Sequence, residues 1–119
     1  MVVVEDDPSM RRSLSRSLAA SGFATETFAS AEAFLDRLPL SGPACLVLDI
    51  QLEGISGLEL RDRLYAKGMS IPVIFITGVG GEVEQRANRL GCVALLHKPF
   101  AAELLIKAVN QAMSGDKPG

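Results

Sequence analysis

Three short apolar runs, each unbroken by a polar side chain, constrain the fold of this chain more than any other feature. The runs are 2-VVV-4, 44-ACLVL-48 and 72-PVIFI-76. A strand that is exposed on one face alternates apolar and polar residues, whereas a strand of a parallel sheet covered on both faces is apolar throughout. The runs therefore predict central strands of a parallel sheet with helices on both of its faces.

Weaker strands and helical segments complete an alternating pattern. The weaker strands are 24-ATETF-28 and 93-VALL-96. Three helix starts are predicted from capping residues, which are Asp7 (followed by Pro8), Ser30 and Ser56. Apolar residues at helical spacing predict two more helices, near 83–90 and 104–112. The pattern is typical of an α/β, doubly wound fold with five parallel strands flanked by five helices.

Length and charge exclude several classes of protein. The 119 residues fit a single domain, predicted at 1–113, with a linker or C-terminal tail at 114–119. Twelve Lys and Arg against 14 Asp and Glu give a net charge of −2, which argues against nucleic-acid binding by the domain itself. No apolar run approaches the roughly 18 residues of a membrane span, and no secretory signal is visible. We therefore expect a cytoplasmic protein without membrane contact, in which Cys45 and Cys92 are reduced thiols.

Polar residues follow the predicted strands at their carboxyl ends, where ligands bind in open parallel sheets. They are Glu5, Asp6 and Asp7, then Asp49, then Thr77 and Gly78, and finally His97, Lys98 and Pro99. Carboxylates without His or Cys suit Mg²⁺, and a lysine and a hydroxyl nearby suit phosphoryl oxygens. Each residue alone has an ordinary interpretation: Asp7 as a helix cap, His97 as an exposed loop residue, the others as turn or solvated loop residues. Only their combination predicts a site for a phosphoryl group.

The chain resembles the receiver domains of two-component response regulators, the CheY-like module, over residues 1–113. The matching motifs are 2-VVVEDDPSMRRSL-14, 47-VLDIQLEGISGLEL-60, 74-IFITG-78 and 97-HKPF-100. It is most similar to regulators that carry a LuxR-type helix-turn-helix output domain. The resemblance implies the flavodoxin-like strand order 2-1-3-4-5 and a function as a switch driven by phosphorylation.

The resemblance also implies a role for each motif residue. Asp49 would accept a phosphoryl group from a sensor histidine kinase, while Thr77 and Lys98 would bind its oxygens. Pro99 would follow a cis peptide bond. The implied Mg²⁺ ligands are Asp6, Asp49 and the backbone carbonyl of Gln51, with Glu5 acting through a metal-bound water.

The switch of such a domain is expected at Thr77, Gly78 and position 95, where this chain has Leu95 instead of the usual aromatic residue. Because Leu95 has no ring to bury, we expect phosphorylation to act by ordering 78–84 and reshaping the surface formed by 82–113. A homodimer through that surface is expected, and nucleic-acid binding only through an output domain that this chain does not contain.

One alternative stays open, a stand-alone receiver that acts by protein–protein contact. A degenerate receiver that only docks is disfavoured, because the acids, Thr77 and Lys98 are all present. A Mg²⁺-dependent phosphatase of the haloacid-dehalogenase type would need an acid where Gln51 stands, and a flavodoxin would need hydroxyl residues at 5–7. We expect no enzymatic activity beyond phosphorylation and dephosphorylation of the chain's own aspartate.

Overall fold

The computed structural model describes residues 1–38, 45–78, 85 and 92–113, and the structural statements below concern these residues. Along the chain, the elements are β1 (Val2–Val4), α1 (Pro8–Ala20), β2 (Glu26–Phe28), α2 (Ala31–Asp36), β3 (Leu46–Asp49), α3 (Gly57–Ala66), β4 (Val73–Thr77), β5 (Ala94–His97) and α4 (Ala102–Met113).

The five strands form one parallel sheet in the order β2-β1-β3-β4-β5, as predicted. The register fixes which strand ends lie side by side. Val4 is opposite Leu48, so the residues that follow β1 lie level with the end of β3. Asp49 is opposite Ile76, and Thr77 is opposite His97. The predicted carboxyl-end residues of four strands therefore share one edge of the sheet.

The sheet is covered on both faces, which explains why its central strands are apolar throughout. Successive strand residues alternate between two cores: Val2 and Val4 pack with α2 and α3, whereas Val3 packs with α1 and α4. Phe75 and Ile76 of β4 divide between the two cores in the same way. The doubly wound α/β architecture is thus confirmed.

The predicted helix caps are confirmed at atomic level. Asp7 accepts a hydrogen bond from the Ser9 backbone N–H at 3.1 Å, and Ser30 caps α2 through the N–H of Ala33 at 3.1 Å. Ser56 accepts from the N–H of Glu59 at 3.1 Å. Each bond satisfies a backbone donor that has no acceptor within its own helix.

Some boundaries differ from the predicted ones. β2 begins at Glu26 instead of residue 24, and α2 ends at Asp36, before the predicted stop at Pro39. Leu104, one of the residues from which the last helix was predicted, is 52% exposed, because the apolar stripe of α4 is formed by Leu105 and the residues that follow it on the same face. The helix predicted near 83–90 and the tail at 114–119 lie outside the described residues, apart from position 85. Within the described ranges, no helix has the length and apolarity that crossing a membrane requires.

Candidate functional site

Three carboxylates meet where β1 and β3 end. Glu5 and Asp6 directly follow β1, and Asp49 is the last residue of β3, the neighbouring strand. Each side chain places an oxygen within 4.8 Å of the others. Glu5 is fully buried and Asp49 is 3% exposed, while Asp6 remains accessible to solvent. We call these three residues the acidic cluster.

Lys98 joins the two buried members of the acidic cluster. Its Nζ donates to Glu5 Oε1 at 2.8 Å and to Asp49 Oδ2 at 2.9 Å. Lys98 directly follows β5, which lies two strands away from β3, so the ammonium group crosses the end of β4 to reach the cluster. A partly buried lysine with two carboxylate partners is a charge-assisted contact of the stronger kind.

Burial and hydrogen bonding shift the pKa values of Glu5 and Lys98. Removal from solvent is the main reason why the pKa of Glu5 rises to about 7, and the neighbouring carboxylate of Asp49 raises it further while Lys98 opposes the rise. For Lys98, burial alone would lower the pKa, but the hydrogen bonds to Glu5 and Asp49 more than compensate, so the pKa lies above its ordinary value. Lys98 is therefore a permanent cation at neutral pH.

The loop after β3 holds the carboxylate of Asp49 in place. The Gln51 backbone N–H donates to Asp49 Oδ1 at 2.8 Å, and the Gly57 N–H donates to the Ile50 carbonyl at 3.0 Å. A Cβ at Gly57 would overlap the backbone carbonyl of Asp49, so this position requires glycine. The start of α3 therefore packs directly against the end of β3.

The same loop also contacts the accessible member of the acidic cluster. The Glu53 N–H lies 3.4 Å from Asp6 Oδ2, which places it at the long end of hydrogen bonding. The Glu53 side chain is exposed and adds a negative charge beside the cluster.

Except for Leu95, the remaining predicted site residues lie at the same edge of the sheet. Thr77 is fully buried at the end of β4, and its carbonyl accepts from the Lys98 N–H at 2.8 Å. Gly78 follows it and is exposed. The Lys98–Pro99 peptide bond is cis. Leu95 lies inside β5, half-buried and packed against the core shared with α2 and α3.

The acidic cluster has the chemistry of a site for a hard cation. All its side-chain donors are oxygens, and the three carboxylates outnumber the single ammonium group that contacts them among the described residues. Neighbouring carboxylates repel one another unless a proton or a cation joins them. Such an all-oxygen set fits Mg²⁺, which binds through one or two carboxylates and keeps several waters. Asp7 is excluded from the group because its carboxylate caps α1.

Two contacts of the acidic cluster were not predicted from the sequence. One is the direct ion pair between Lys98 and Glu5, since the motif interpretation assigned Lys98 only to a phosphoryl group. The other is a hydrogen bond at 2.8 Å from Arg11 Nη1 to the backbone carbonyl of Glu5. The position of Arg11 one turn into a helix that begins at Pro8 could have indicated the second contact, because helical side chains point toward the helix N-terminus. No sequence pattern indicated the first.

Comparisons with known proteins agree on one family. A family model described as the response regulator receiver domain matches residues 1–110. The transcriptional regulatory protein FixJ of Bradyrhizobium diazoefficiens is 36% identical over 117 residues, covering 98% of this chain and 57% of that protein. Nodulation protein W of the same organism is 41% identical over 116 residues, covering 97% of this chain and 51% of that protein. The chain thus spans about half the length of these curated relatives.

Solved structures give the same result. The crystal structure of FixJ-N superposes with a TM-score of 0.88 at 34% identity, covering 99% of this chain and 95% of that one. The structure of the response regulator StyR also gives a TM-score of 0.88, at 38% identity, and covers 95% of this chain and 58% of that one.

Proposed function

Because this chain belongs to the response regulator receiver domain family, we propose that Asp49 is its phosphoacceptor and that the acidic cluster holds the Mg²⁺ that the transfer needs. The observation that supports this most directly is the position of Asp49. It is the last residue of a buried central strand, its Oδ2 lies 2.9 Å from Lys98 Nζ, and Asp6 lies beside it. A carboxylate that would act as the nucleophile thus lies beside an ammonium group and beside oxygens that would bind the cation, which supports the proposal.

The proposed transfer moves a phosphoryl group from a histidine of a sensor kinase to Asp49. A carboxylate oxygen of Asp49 attacks phosphorus, an O–P bond forms, and the P–N bond to the kinase histidine breaks with its electron pair leaving on nitrogen. Bound Mg²⁺ would neutralise charge on the phosphoryl oxygens, with Asp6 and Asp49 as direct ligands and the Gln51 carbonyl beside them. Glu5 would contribute through a water molecule. The phosphoryl group ends on the chain's own aspartate, so we propose no enzymatic activity beyond the phosphorylation and dephosphorylation of Asp49.

Lys98 is suited to neutralise the negative charge that a phosphoryl group would add at Asp49. Its Nζ already contacts Asp49 Oδ2, and an added phosphoryl group brings roughly 1.5–2 negative charges to the same place. We propose that Lys98 turns from the carboxylates to a phosphoryl oxygen, and that the Thr77 hydroxyl binds another. Movement of Thr77 and Gly78 would then pass the change to the surface formed by 82–113, of which the structure describes 85 and 92–113.

The relatives suggest what the switch controls. FixJ is named a transcriptional regulatory protein and is longer than this chain, so we propose transcription regulation through an attached output domain as the downstream effect. A second copy of the chain is the proposed partner at the 82–113 surface, and a sensor histidine kinase is the proposed phosphodonor. Both interactions would take place in the cytoplasm.

Phosphorylation by a small phosphodonor tests the assignment of Asp49. Incubation with acetyl phosphate and Mg²⁺ should raise the intact mass by one phosphoryl group, and Asp49→Asn should abolish the increase. Asp7→Asn is the matched control, since it changes an aspartate at the same edge of the sheet that caps a helix, and it should be modified like the wild type. A phosphoryl group mapped to Asp7 or His97 would contradict the proposal.

A further inference from the structure

Arg11 reaches back from α1 to the loop that carries the first two residues of the acidic cluster. Its Nη1 donates to the backbone carbonyl oxygen of Glu5 at 2.8 Å, and the Arg11 side chain is half-buried. The contact involves the main chain of Glu5 and not the carboxylate oxygens of the acidic cluster. Arg12, the next residue, is exposed.

Every polar group of Glu5 has a partner, and the partners come from four different parts of the chain. Its N–H donates to the Phe28 carbonyl at 3.1 Å, and its carboxylate accepts from Lys98 at 2.8 Å and from the Asp7 N–H at 3.4 Å. Its carbonyl, which lies beyond the last paired residue of β1, accepts from Arg11. Arg11 thus completes the hydrogen bonding of a fully buried residue.

We propose that Arg11 is a positioning residue for the cation site: its hydrogen bond fixes the turn after β1 so that Glu5 and Asp6 stay beside Asp49. The inference rests on the proposed function, because it assigns a role toward the Mg²⁺ that the acidic cluster would hold. Direct ligands are held in place by groups that do not touch the metal, and removing such a group typically weakens metal binding by about 10–100-fold.

The direction in which removal of Arg11 changes the Mg²⁺ affinity distinguishes a positioning role from a purely electrostatic one. Arg11 carries a positive charge that contacts the main chain of Glu5, and a positive charge by itself repels Mg²⁺. If only the charge of Arg11 mattered, its removal would strengthen Mg²⁺ binding. If Arg11 holds the turn, its removal weakens Mg²⁺ binding although a repulsive charge has gone.

The experiment uses the full 119-residue chain and Mg²⁺ itself, titrated by calorimetry into Arg11→Met, Arg11→Lys and Arg12→Met. Arg11→Met should weaken Mg²⁺ binding about tenfold. Arg11→Lys should restore most of the affinity, because an ammonium group can donate to the same carbonyl. Arg12→Met removes the same charge from an exposed neighbour and should leave the affinity unchanged. Unchanged or tighter binding in Arg11→Met would overturn the proposal.

A second measurement keeps this inference separate from the proposed function. Amide hydrogen exchange at Asp7, whose N–H donates to Glu5, reports on the turn in chelator without any metal. Exchange should be about fivefold faster in Arg11→Met than in Arg12→Met, the loss expected for one hydrogen bond. If the wild type binds no Mg²⁺, the proposed cation site fails, while the exchange rates still decide the role of Arg11: equal rates in the two variants refute it. Should Arg11→Met fail to fold, Arg11→Gln, whose side chain is uncharged and shorter than that of arginine, replaces it in both comparisons with Arg12→Met.

Discussion

The two edges of the sheet bury titratable groups in opposite surroundings. At the carboxyl edge (Glu5, Asp6, Asp49, Thr77 and Lys98), buried carboxylates contact an ammonium group and backbone N–H groups. At the amino edge (Cys45 and Cys92), the thiols pack among apolar side chains; Cys45 is fully buried, and both cysteines are free thiols. Burial raises the pKa of Glu5 to about 7 and that of Cys45 to about 11.

The same physical effect therefore has different consequences at the two edges. At the amino edge, burial keeps a thiol neutral and chemically quiet. At the carboxyl edge, burial acts on groups that remain close to charged partners. Binding of a proton, a metal ion or a phosphoryl group can therefore change which of these groups is ionised. The difference follows from chain direction, because the carboxyl ends of all the strands of a parallel sheet lie together and the loops there carry the acids. The following predictions test this comparison.

The largest effect is expected from removing the cation of the carboxyl edge. Lys98→Met leaves Glu5 and Asp49 buried without their shared partner, and we expect a loss of about 3–5 kcal/mol in the free energy of unfolding at pH 8 without metal. The loss should be smaller at pH 5.5, where Glu5 can take up a proton. Urea denaturation at the two pH values measures both numbers.

Lys107→Met is the matched control for that experiment. Lys107 lies exposed on α4, and its replacement should change the unfolding free energy by less than about 0.5 kcal/mol at either pH. A loss in Lys98→Met as small as in Lys107→Met would show that the carboxyl edge tolerates its charges without a partner.

The second largest effect is expected in the pH dependence of stability, to which Glu5 contributes. The folded chain binds a proton on Glu5 more tightly than the unfolded chain, since its pKa is raised from 4.5 to about 7. The stability that this proton contributes is complete below pH 4.5 and is lost as the pH rises through about 7. In chelator, the wild type should lose about 3 kcal/mol relative to Glu5→Gln across this range. Parallel stability curves for the two proteins would mean that Glu5 is not desolvated.

The sequence predicted the architecture well because its strongest features act locally. Unbroken apolar runs specified β1, β3 and β4, and capping side chains at Asp7, Ser30 and Ser56 specified where three helices begin. The shared direction of parallel strands predicted which edge of the sheet carries the polar residues.

Other features depended on contacts between distant residues and could not be predicted. Lys98 and Glu5 are 93 positions apart, and only the register of the strands shows that they meet. The burial of Glu5 was not expected either, since a charged residue in a loop after a strand is ordinarily solvated. β2 is shorter than predicted, and its alternating residues 24-ATETF-28 gave only a weak indication of where it begins.

A smaller effect is expected at the amino edge and at higher pH. Burial raises the pKa of the Cys45 thiol from 9.0 to about 11, so its neutral form stabilises the fold fully below pH 9 and this contribution disappears as the pH rises through 11. The wild type should lose about 2 kcal/mol relative to Cys45→Ala between pH 8.5 and 11. Thermal denaturation over this range measures the difference, and Cys92→Ala, at a half-buried position, serves as the comparison. If Cys45→Ala follows the wild type at every pH, the amino edge does not oppose ionisation.

The smallest effect concerns Asp7, which lies in the same loop as Glu5 and Asp6 but has a structural role. Its carboxylate accepts from the Ser9 N–H at 3.1 Å as the cap of α1, which begins at Pro8. Asp7→Ala should therefore cost about 1 kcal/mol of stability through the lost cap. Asp7→Asn, which retains an acceptor oxygen, should recover most of it.

Mg²⁺ titration of Asp6→Ala and Asp7→Ala distinguishes the cap from the cation site. Oxygens of Glu5, Asp6 and Asp49 lie within 4.8 Å of one another, so Asp6→Ala should abolish Mg²⁺ binding. Asp7→Ala should bind Mg²⁺ like the wild type, because a carboxylate committed to a helix N-terminus is not available as a ligand. The reverse result, with binding lost at position 7 and kept at position 6, would place the cation site one residue further along the chain. Asp7 would then be both the cap of α1 and a ligand of the cation, and the two roles could no longer be assigned to different residues.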